Sequence, residues 1–185
     1  KRFIDLLLCI TALIILVVPI ILIAILVRCS SKGPSIYWSR RVGLNNDIFL
    51  MPKFRTMTSN APTVATHLME DSATFLTPIG GLLRRFSLDE IPQLYSILKG
   101  EMSFVGPRPA LFNQDDLISL RKEKGIDKLI PGITGWAQIN GRDSISIADK
   151  VSLDFEYLNK QSTLFDLLII KSTILKVIGT NDISH

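Results

Sequence analysis

An uncharged apolar run near the start of the chain constrains the fold more than any other feature. It extends from Leu6 to Val27, and only Thr11 and Pro19 among these 22 residues are not apolar. As a straight helix the run would be about 33 Å long, which is enough to cross the hydrocarbon core of a bilayer. Signal peptides have a shorter apolar stretch followed by a small-residue cleavage site, so we expect a retained membrane helix.

The flanks of this run leave its topology open. Basic residues lie on both sides of it, namely Lys1 and Arg2 before and Arg28, Lys32, Arg40 and Arg41 after. The positive-inside rule therefore does not orient the helix. Pro19 removes one helical hydrogen bond and favours a bend in the middle of the run. Two arrangements fit: a kinked helix that crosses the membrane, and a re-entrant helix that bends near Pro19 and returns to the same face.

The rest of the chain has the composition of an ordinary globular domain. The whole sequence is 47% hydrophobic and carries 21 basic and 17 acidic residues, a net charge of +4. Half of this excess lies at positions 1–28, with three basic residues against one acidic residue, and suits an anionic membrane surface. The balanced remainder argues against nucleic-acid binding. Cys9 and Cys29 lack the spacing of a metal site or a disulfide framework.

Local patterns after the apolar run predict short strands followed by several helices. Residues 36–58 alternate loosely and predict two strands around a turn at 43–47. A turn-rich loop is predicted at 131–135. One predicted helix begins at Pro78, and a second begins at an S-x-x-E capping box at 87–90. Three more predicted helices cover 110–124, 146–159 and 167–178. The last helix is too short to span a membrane, which leaves packing on the core or a position on the membrane surface.

Asp89 and Glu90 are the strongest candidates for catalytic groups. They begin a predicted helix, where backbone N–H groups and the helix dipole favour negative charge and bind phosphate. Adjacent helical residues point about 100° apart, so the two carboxylates would divide their roles, one as nucleophile and one as metal ligand. The alternative is plain capping, because acidic residues are common in the first turn of a helix.

Candidate phosphate-binding residues lie in three other segments. Lys53 and Arg55 belong to an extended segment, Arg84 precedes the acidic pair, and Arg108 stands between two prolines. The prolines stiffen the backbone around this guanidinium, and a fixed Arg suits bidentate phosphate binding. Taken singly, each of these residues is also explained as a solvated surface charge.

Segment 135–142, GWAQINGR, predicts a binding loop. Trp136 would offer an aromatic platform, Gln138 and Asn140 would offer amide donors, and Arg142 would offer a cation. The alternative is a tryptophan packed in the core among turn residues.

Together these segments resemble the small monotopic phosphoglycosyl transferases of the bacterial sugar transferase family. The matching segments are KRFID at 1–5, KFRTM at 53–57, SLDEIPQL at 87–94, LKGEMSFVGPRP at 98–109 and PGITGWAQINGR at 131–142. They cover nearly the whole chain in the family's order, and the ordered set is far more specific than any single motif. One departure is Val18-Pro19, where family members commonly have Ser-Pro. The proline remains, but the serine hydroxyl that could bond a released carbonyl is absent.

The resemblance implies transfer of a sugar phosphate from a UDP-sugar to a polyprenol phosphate, usually undecaprenyl phosphate, with release of UMP. Asp89 would attack the β-phosphate and carry a covalent phosphosugar, while Glu90 would bind Mg²⁺. The basic residues that match positions near the phosphates or the nucleotide are Lys53, Arg84, Arg108 and Arg142. The cations and the metal ion would offset the repulsion between a carboxylate and phosphates.

For the architecture, the resemblance implies a mostly helical α+β, monotopic membrane protein. Residues 1–30 would form the re-entrant, Pro-kinked helix, and interfacial amphipathic helices would surround a catalytic domain over 31–185. The protein would lie on the cytoplasmic face of the bacterial inner membrane, with the bilayer, a UDP-sugar and a polyprenol phosphate as partners and no nucleic acid. The sugar, the glycan pathway and any homo-oligomerisation stay open.

Two other functions would use the same residues. A membrane-bound, Mg²⁺-dependent phosphohydrolase would transfer the group to water and release UMP without polyprenol phosphate. A catalytically inactive scaffold for glycan assembly would leave pathway output normal after Asp89 is replaced.

Overall fold

The computed structural model describes residues 1–58, 60–62, 72–141 and 145–178. Its strands and helices are α1 (Arg2–Ser30), β1 (Ile36–Val42), β2 (Ile48–Phe54), α2 (Gly80–Arg85), α3 (Leu94–Lys99), β3 (Ser103–Val105), α4 (Asp115–Glu123), β4 (Gly132–Thr134), α5 (Trp136–Asn140), α6 (Ile147–Lys160) and α7 (Thr163–Ile178). Short 3₁₀ helices lie at Leu44–Asn46, Ser72–Phe75, Leu88–Gln93 and Ile126–Lys128. The described part is mostly helical with two small sheets, in agreement with the predicted α+β class.

The strands predicted within 36–58 form an antiparallel hairpin. β1 and β2 pair residue by residue along their full lengths, and the predicted turn lies between them. Asn45 and Asn46 take positive φ in this turn, a conformation that Asn tolerates better than most residues. Side chains alternate along a strand, so Lys53 shares one face of β2 with the buried Phe49 and Met51. The hairpin therefore directs Lys53 towards the inside of the molecule.

A second, parallel sheet contains only β3 and β4. Ser103 lies opposite Gly132 and Val105 opposite Thr134, so the prediction of a loop throughout 131–135 is wrong for β4. The two strands come too close for a side chain at one position, because a Cβ on Gly132 would lie 2.1 Å from the backbone N of Gly106. Sequence periodicity cannot show such a pair, since each strand has only three residues.

Buried apolar side chains form three clusters. The first joins β3 to helices α4, α6 and α7, and includes Val105, Leu117, Val151, Tyr157 and Ile169. The second joins α1, β2 and α3, and includes Cys9, Met51 and Ile97. The third joins the later part of α1 to β2 and α2, and includes Val27, Phe54 and Leu83. α1 therefore packs along the globular part of the chain through a single stripe of side chains.

The first turn of α1 is hydrogen-bonded to the globular part. Asp5 accepts hydrogen bonds from Ser103 Oγ at 2.9 Å and from the backbone N of Phe104 at 3.1 Å. Lys1 Nζ lies 2.6 Å from Asp166 Oδ2 at the start of α7. These contacts join the beginning of the chain to β3 and to the last described helix.

The other end of α1 is bound to the same globular part. The Arg55 guanidinium on the chain after β2 donates to the carbonyls of Ser31 and Lys32, at 2.8 and 2.7 Å. Ser35 Oγ donates to the carbonyl of Ala24 at 2.8 Å. Arg55 therefore binds the two carbonyls that directly follow α1 and is not among the phosphate-binding candidates that the structure brings together.

The outer face of α1 is apolar and exposed. Its exposed side chains include Leu7, Ile14, Ile15, Val18, Leu22 and Leu26. Within the described ranges, α1 is the only helix whose length and apolar composition would allow it to cross a membrane. It extends through Pro19 as one helix, and the re-entrant path predicted for it stays a prediction.

The later helices agree with the sequence prediction. α4, α6 and α7 lie where helices were predicted, although each differs by a few residues at its ends. Packing of α7 on the core is confirmed, because Ile169 is fully buried, while a position on the membrane surface stays a prediction for the exposed Leu164, Leu168 and Leu175. α7 thus packs on the core with one face and leaves an apolar face open.

Candidate active site

The acidic pair lies on a short 3₁₀ helix and not at the start of an α-helix. This 3₁₀ helix covers Leu88–Gln93, and α3 begins only after it. Ser87 has a φ of +54°, a left-handed conformation that costs energy for residues with a Cβ, and its side chain makes no capping bond. The predicted capping box at 87–90 is therefore wrong, and so is plain capping as an explanation of Glu90.

Glu90 joins two of the predicted phosphate-binding residues. Its Oε1 accepts hydrogen bonds from Lys53 Nζ and from Arg108 Nη2, each at 2.8 Å. Burial alone would raise the pKa of Glu90, but the charges and hydrogen bonds of Arg108 and Lys53 outweigh it and hold that pKa well below its usual range. Glu90 is therefore ionised at neutral pH and links the hairpin to the Pro-Arg-Pro turn.

Asp89 lies in the same electrostatic environment but has different contacts. The residue is 8% exposed, and no hydrogen bond joins its carboxylate to another residue within the described ranges. Burial raises the pKa of Asp89 above its ordinary value, and Glu90 adds to this effect, while Lys53, Arg84 and Arg108 oppose it. A poorly solvated carboxylate that has no hydrogen-bond donor among the described residues and lies close to three cations has the properties of a nucleophile.

Arg84 reaches the neighbourhood of Asp89 from α2. Its Nε donates to Thr56 Oγ1 at 3.0 Å, which fixes one edge of the guanidinium. α2 can approach Thr56 this closely because Gly80 has no side chain. A Cβ at that position would lie 2.1 Å from the Thr56 carbonyl oxygen. Burial lowers the pKa of Arg84 and Asp89 opposes that effect, but an arginine in a protein remains charged at neutral pH. The structure thus brings together Lys53, Arg84, Asp89, Glu90 and Arg108, while Arg142 lies outside the described residues.

The predicted binding loop at 135–142 is largely helical, because α5 occupies most of it. Trp136 Nε1 donates to Glu156 Oε2 at 2.8 Å, and the Trp136 ring lies 5.0 Å from the ring of Phe165. The packed-tryptophan alternative is therefore confirmed, and the prediction of Trp136 as the aromatic platform of a binding loop is wrong. The side-chain amide of Gln138 is buried and has no hydrogen-bond partner in the part of the chain that the structure describes.

A metal ion would find few protein ligands here. No group of three or more His, Cys, Asp or Glu side chains suited to a metal ion occurs among the described residues. Mg²⁺ is commonly bound by one or two carboxylates together with substrate phosphates, however. Both cations on Glu90 contact Oε1, and no described donor reaches Oε2. This donor set fits a metal ion that binds together with a phosphate-containing substrate.

Sequence reasoning missed Arg41 as part of this region and treated it only as a flanking charge of the apolar run. Its Nη1 donates to the carbonyl of Pro109 at 3.1 Å, and its charge contributes to the lowered pKa of Lys53, of which burial is the main cause. Strand alternation could have indicated that Arg41 faces inwards, because Arg41 shares one face of β1 with the buried Ser39.

Comparison with known proteins identifies similar chains along the whole length. The family model described as "Bacterial sugar transferase" matches residues 1–180. A Bacillus subtilis protein named "Uncharacterized sugar transferase EpsL" is 40% identical, over 100% of this chain and 90% of its own length. The exopolysaccharide production protein ExoY of Sinorhizobium fredii is 38% identical, over 94% of this chain and 83% of its own.

A longer relative is similar over the same region. The UDP-glucose:undecaprenyl-phosphate glucose-1-phosphate transferase of Escherichia coli is 38% identical over 95% of this chain, which corresponds to 39% of that protein. The similarity thus extends over α1 and the globular part alike. Because the family model and these relatives cover nearly the whole chain, the chain belongs to the bacterial sugar transferase family.

Proposed function

We propose that the protein transfers a sugar-1-phosphate from a UDP-sugar to undecaprenyl phosphate or a similar polyprenol phosphate, and that it releases UMP. The names of two relatives support this type of reaction, the glucose-1-phosphate transferase of Escherichia coli and an undecaprenyl-phosphate N-acetylgalactosaminephosphotransferase of Aeromonas hydrophila. The observation that carries the proposal is the buried Asp89 carboxylate, which lacks a described hydrogen-bond partner and lies beside the Lys53–Glu90–Arg108 ion pairs.

In the first half of the proposed reaction, an Asp89 oxygen attacks the β-phosphorus of the UDP-sugar. A bond forms between that oxygen and the phosphorus, and the bond from the phosphorus to the bridging oxygen of the diphosphate breaks. UMP leaves with the electron pair. Attack by a carboxylate on a phosphate meets strong repulsion, and Lys53, Arg84 and Arg108 offset it because their charges act on this position.

In the second half, a phosphate oxygen of the polyprenol phosphate attacks the phosphorus of the aspartyl phosphosugar. The bond from Asp89 to phosphorus breaks, so the carboxylate is regenerated and the lipid carries a diphosphate-linked sugar. This acceptor stays in the bilayer, and the exposed apolar face of α1 would place the site at that depth.

We propose Glu90 as the protein ligand of Mg²⁺, together with oxygens of the substrate phosphates. Bound there, the ion would neutralise part of the phosphate charge. Lys53 and Arg108 keep the Glu90 carboxylate ionised, which a metal ligand requires.

We also propose that residues 1–30 form a re-entrant membrane helix and that residues 31–185 act on the cytoplasmic face of the inner membrane. The hydrogen bonds at both ends of α1 support this topology, because they lead to one globular part of the chain. A helix that crossed the bilayer would have to break one of these sets. Cysteine labelling of Lys1→Cys and Lys32→Cys, in a protein without Cys9 and Cys29, should modify both positions from the same side. Labelling from opposite sides would refute the re-entrant path.

The chemistry is tested with a UDP-sugar labelled in the sugar. The purified protein in nanodiscs that contain no polyprenol phosphate should become covalently labelled in the presence of Mg²⁺, and added polyprenol phosphate should remove the label. Asp89→Asn should abolish labelling, whereas Asp116→Asn, which changes an exposed acid in the first turn of α4, should not. A fully labelled or fully active Asp89→Asn protein would refute the nucleophile. Rapid UMP release without polyprenol phosphate would indicate a phosphohydrolase instead, and a panel of UDP-sugars would identify the donor.

A further inference from the structure

The Pro-Arg-Pro turn that carries Arg108 is held from outside by two further arginines. Arg121 on α4 donates from Nη1 to the carbonyl of Arg108 at 2.8 Å. Arg41 on β1 donates from Nη1 to the next carbonyl, that of Pro109, at 3.1 Å. Two successive carbonyls of the turn are therefore bound by guanidinium groups from two different elements.

Arg121 is itself oriented by a buried ion pair. Its Nε and Nη2 both donate to Asp154 Oδ2 on α6, at 3.0 and 2.6 Å. The two residues are 8% and 1% exposed. A buried ion pair adds little stability compared with apolar residues of the same size, because both charges lose their hydration. Stability alone therefore explains this pair poorly, whereas its bond to the Arg108 carbonyl connects it to the candidate active site.

The side chain of Arg108 depends on its backbone for its position. The side chain is 37% exposed, so packing contacts alone do not fix where its guanidinium lies. Pro107 and Pro109 limit the conformation within the turn, but they do not determine where the turn lies relative to Glu90. Backbone bonds hold the flanks of the turn, from Gly132 N to the Pro107 carbonyl and from Val42 N to the Ala110 carbonyl, each at 3.0 Å. The two carbonyls between these flanks are bound by Arg121 and Arg41, which reach the turn from α4 and β1.

We propose that Arg121, oriented by Asp154, and Arg41 are positioning residues that hold the Arg108 backbone so that its guanidinium stays at Glu90 and faces the substrate phosphates. This inference rests on the function proposed above. A misplacement of about 1 Å in a catalytic group can lower a rate on the order of 100-fold. Neither Arg121 nor Asp154 needs to touch a substrate for this effect.

The test replaces the fork-shaped guanidinium by a single ammonium. Arg121→Lys keeps the charge opposite Asp154 but cannot make all three bonds, because they leave the guanidinium in different directions. We expect kcat for sugar-phosphate transfer to fall about tenfold or more, with the KM for the UDP-sugar changed less than about threefold. Lys122→Gln, an exposed neighbour on α4, should leave both constants unchanged.

A double-mutant cycle separates positioning from a purely structural role. If Arg121 acts through Arg108, then Arg121→Lys should reduce the activity of Arg108→Ala by less than about twofold, although it lowers wild-type activity much more. A structural role would give the same fold-loss in both backgrounds. The thermal unfolding of the wild type, the two single variants and the double variant is measured together with their activity, in the membrane or in detergent.

Arg41→Lys provides a second variant that does not disturb α4, and it should show the same dependence on Arg108. Equal losses in both backgrounds would overturn the inference, as would a wild-type kcat in Arg121→Lys and in Arg41→Lys. The proposed function would fail by a different result, namely a wild-type protein that takes no label from any UDP-sugar.

Discussion

Replacing Glu90 by glutamine tests the ion pairs at the centre of the site. Glu90→Gln keeps the size of the side chain and one oxygen acceptor but removes the negative charge. Lys53 and Arg108 would then lie against a neutral amide, and Lys53 is only 15% exposed. We expect the free energy of unfolding to fall, because a poorly solvated cation loses its counter-charge.

The size of this loss follows from the two contacts. A hydrogen bond to a charged group contributes about 1.5–3 kcal/mol, and removing one partner of a buried ion pair costs about 3–5 kcal/mol. The Arg108 side chain is 37% exposed, so solvent screens its share and the lower part of this range applies. A loss of about 3 kcal/mol would lower Tm by about 6–12 °C in a protein of this size.

The pH dependence of the loss provides a further check. The pKa of Glu90 is lowered in the folded protein, so its stabilisation is present above its unfolded pKa, near 4.5, and is lost as the pH falls through the folded value. The difference in Tm between the wild type and Glu90→Gln should therefore be constant from about pH 5.5 to about 7.5 and should narrow only below that range.

Thermal unfolding in detergent or nanodiscs measures these differences. Lys160→Gln is the matched control, because it breaks an exposed pair with Glu156 in which Lys160 is 61% exposed. That pair should contribute less than about 0.5 kcal/mol. If Glu90→Gln costs no more than this control, or if its deficit already disappears at pH 6, then Glu90 does not stabilise the fold through its charge on Lys53 and Arg108.

Three further predictions concern Asp89, Asp5 and Ser87. The rate of covalent labelling at Asp89 should fall as the pH decreases through a pKa above the ordinary value of 3.8, because the attacking carboxylate must be ionised. A labelling rate that stays unchanged down to about pH 4 would contradict this. Asp5→Asn should lower the free energy of unfolding by about 1–3 kcal/mol, because it weakens the bonds to Ser103 and Phe104, and unchanged thermal unfolding would contradict it. Ser87→Val should cost about 1–2 kcal/mol more than Ser87→Gly in the same assay, because only glycine adopts positive φ easily.

The elements that were predicted correctly are those whose pattern is local. The β1–β2 hairpin, α6 and α7 follow from alternation or helical periodicity over seven or more residues. The parallel pair of β3 and β4 was missed because its three-residue strands come together only in the tertiary structure. The capping box at 87–90 failed because Glu90 gains more from two cations than from a backbone N–H.

The candidate site was predictable only in part. The acidic pair, Lys53 and Arg108 came from short motifs in a recognisable order, Arg84 came from its place just before the pair, and the structure brings them together. The bonds from Arg121 to Asp154 and to Arg108 could not be foreseen, because the partners are 33 and 13 residues apart and each charge alone resembles a solvated helix surface. Sequence patterns indicate which groups are present, whereas long-range contacts decide which of them meet.

The contact between Lys1 and Asp166 has a consequence for biosynthesis. The two residues are 165 positions apart, so at about 5–20 residues per second a ribosome needs on the order of 10–30 s to supply the partner. The apolar helix emerges long before α7, so in a membrane location it would have to settle against lipid without that helix. On the topology proposed above, the path of the helix would therefore be selected early, by its contacts with lipid, and the late ion pair would only lock an orientation that already exists.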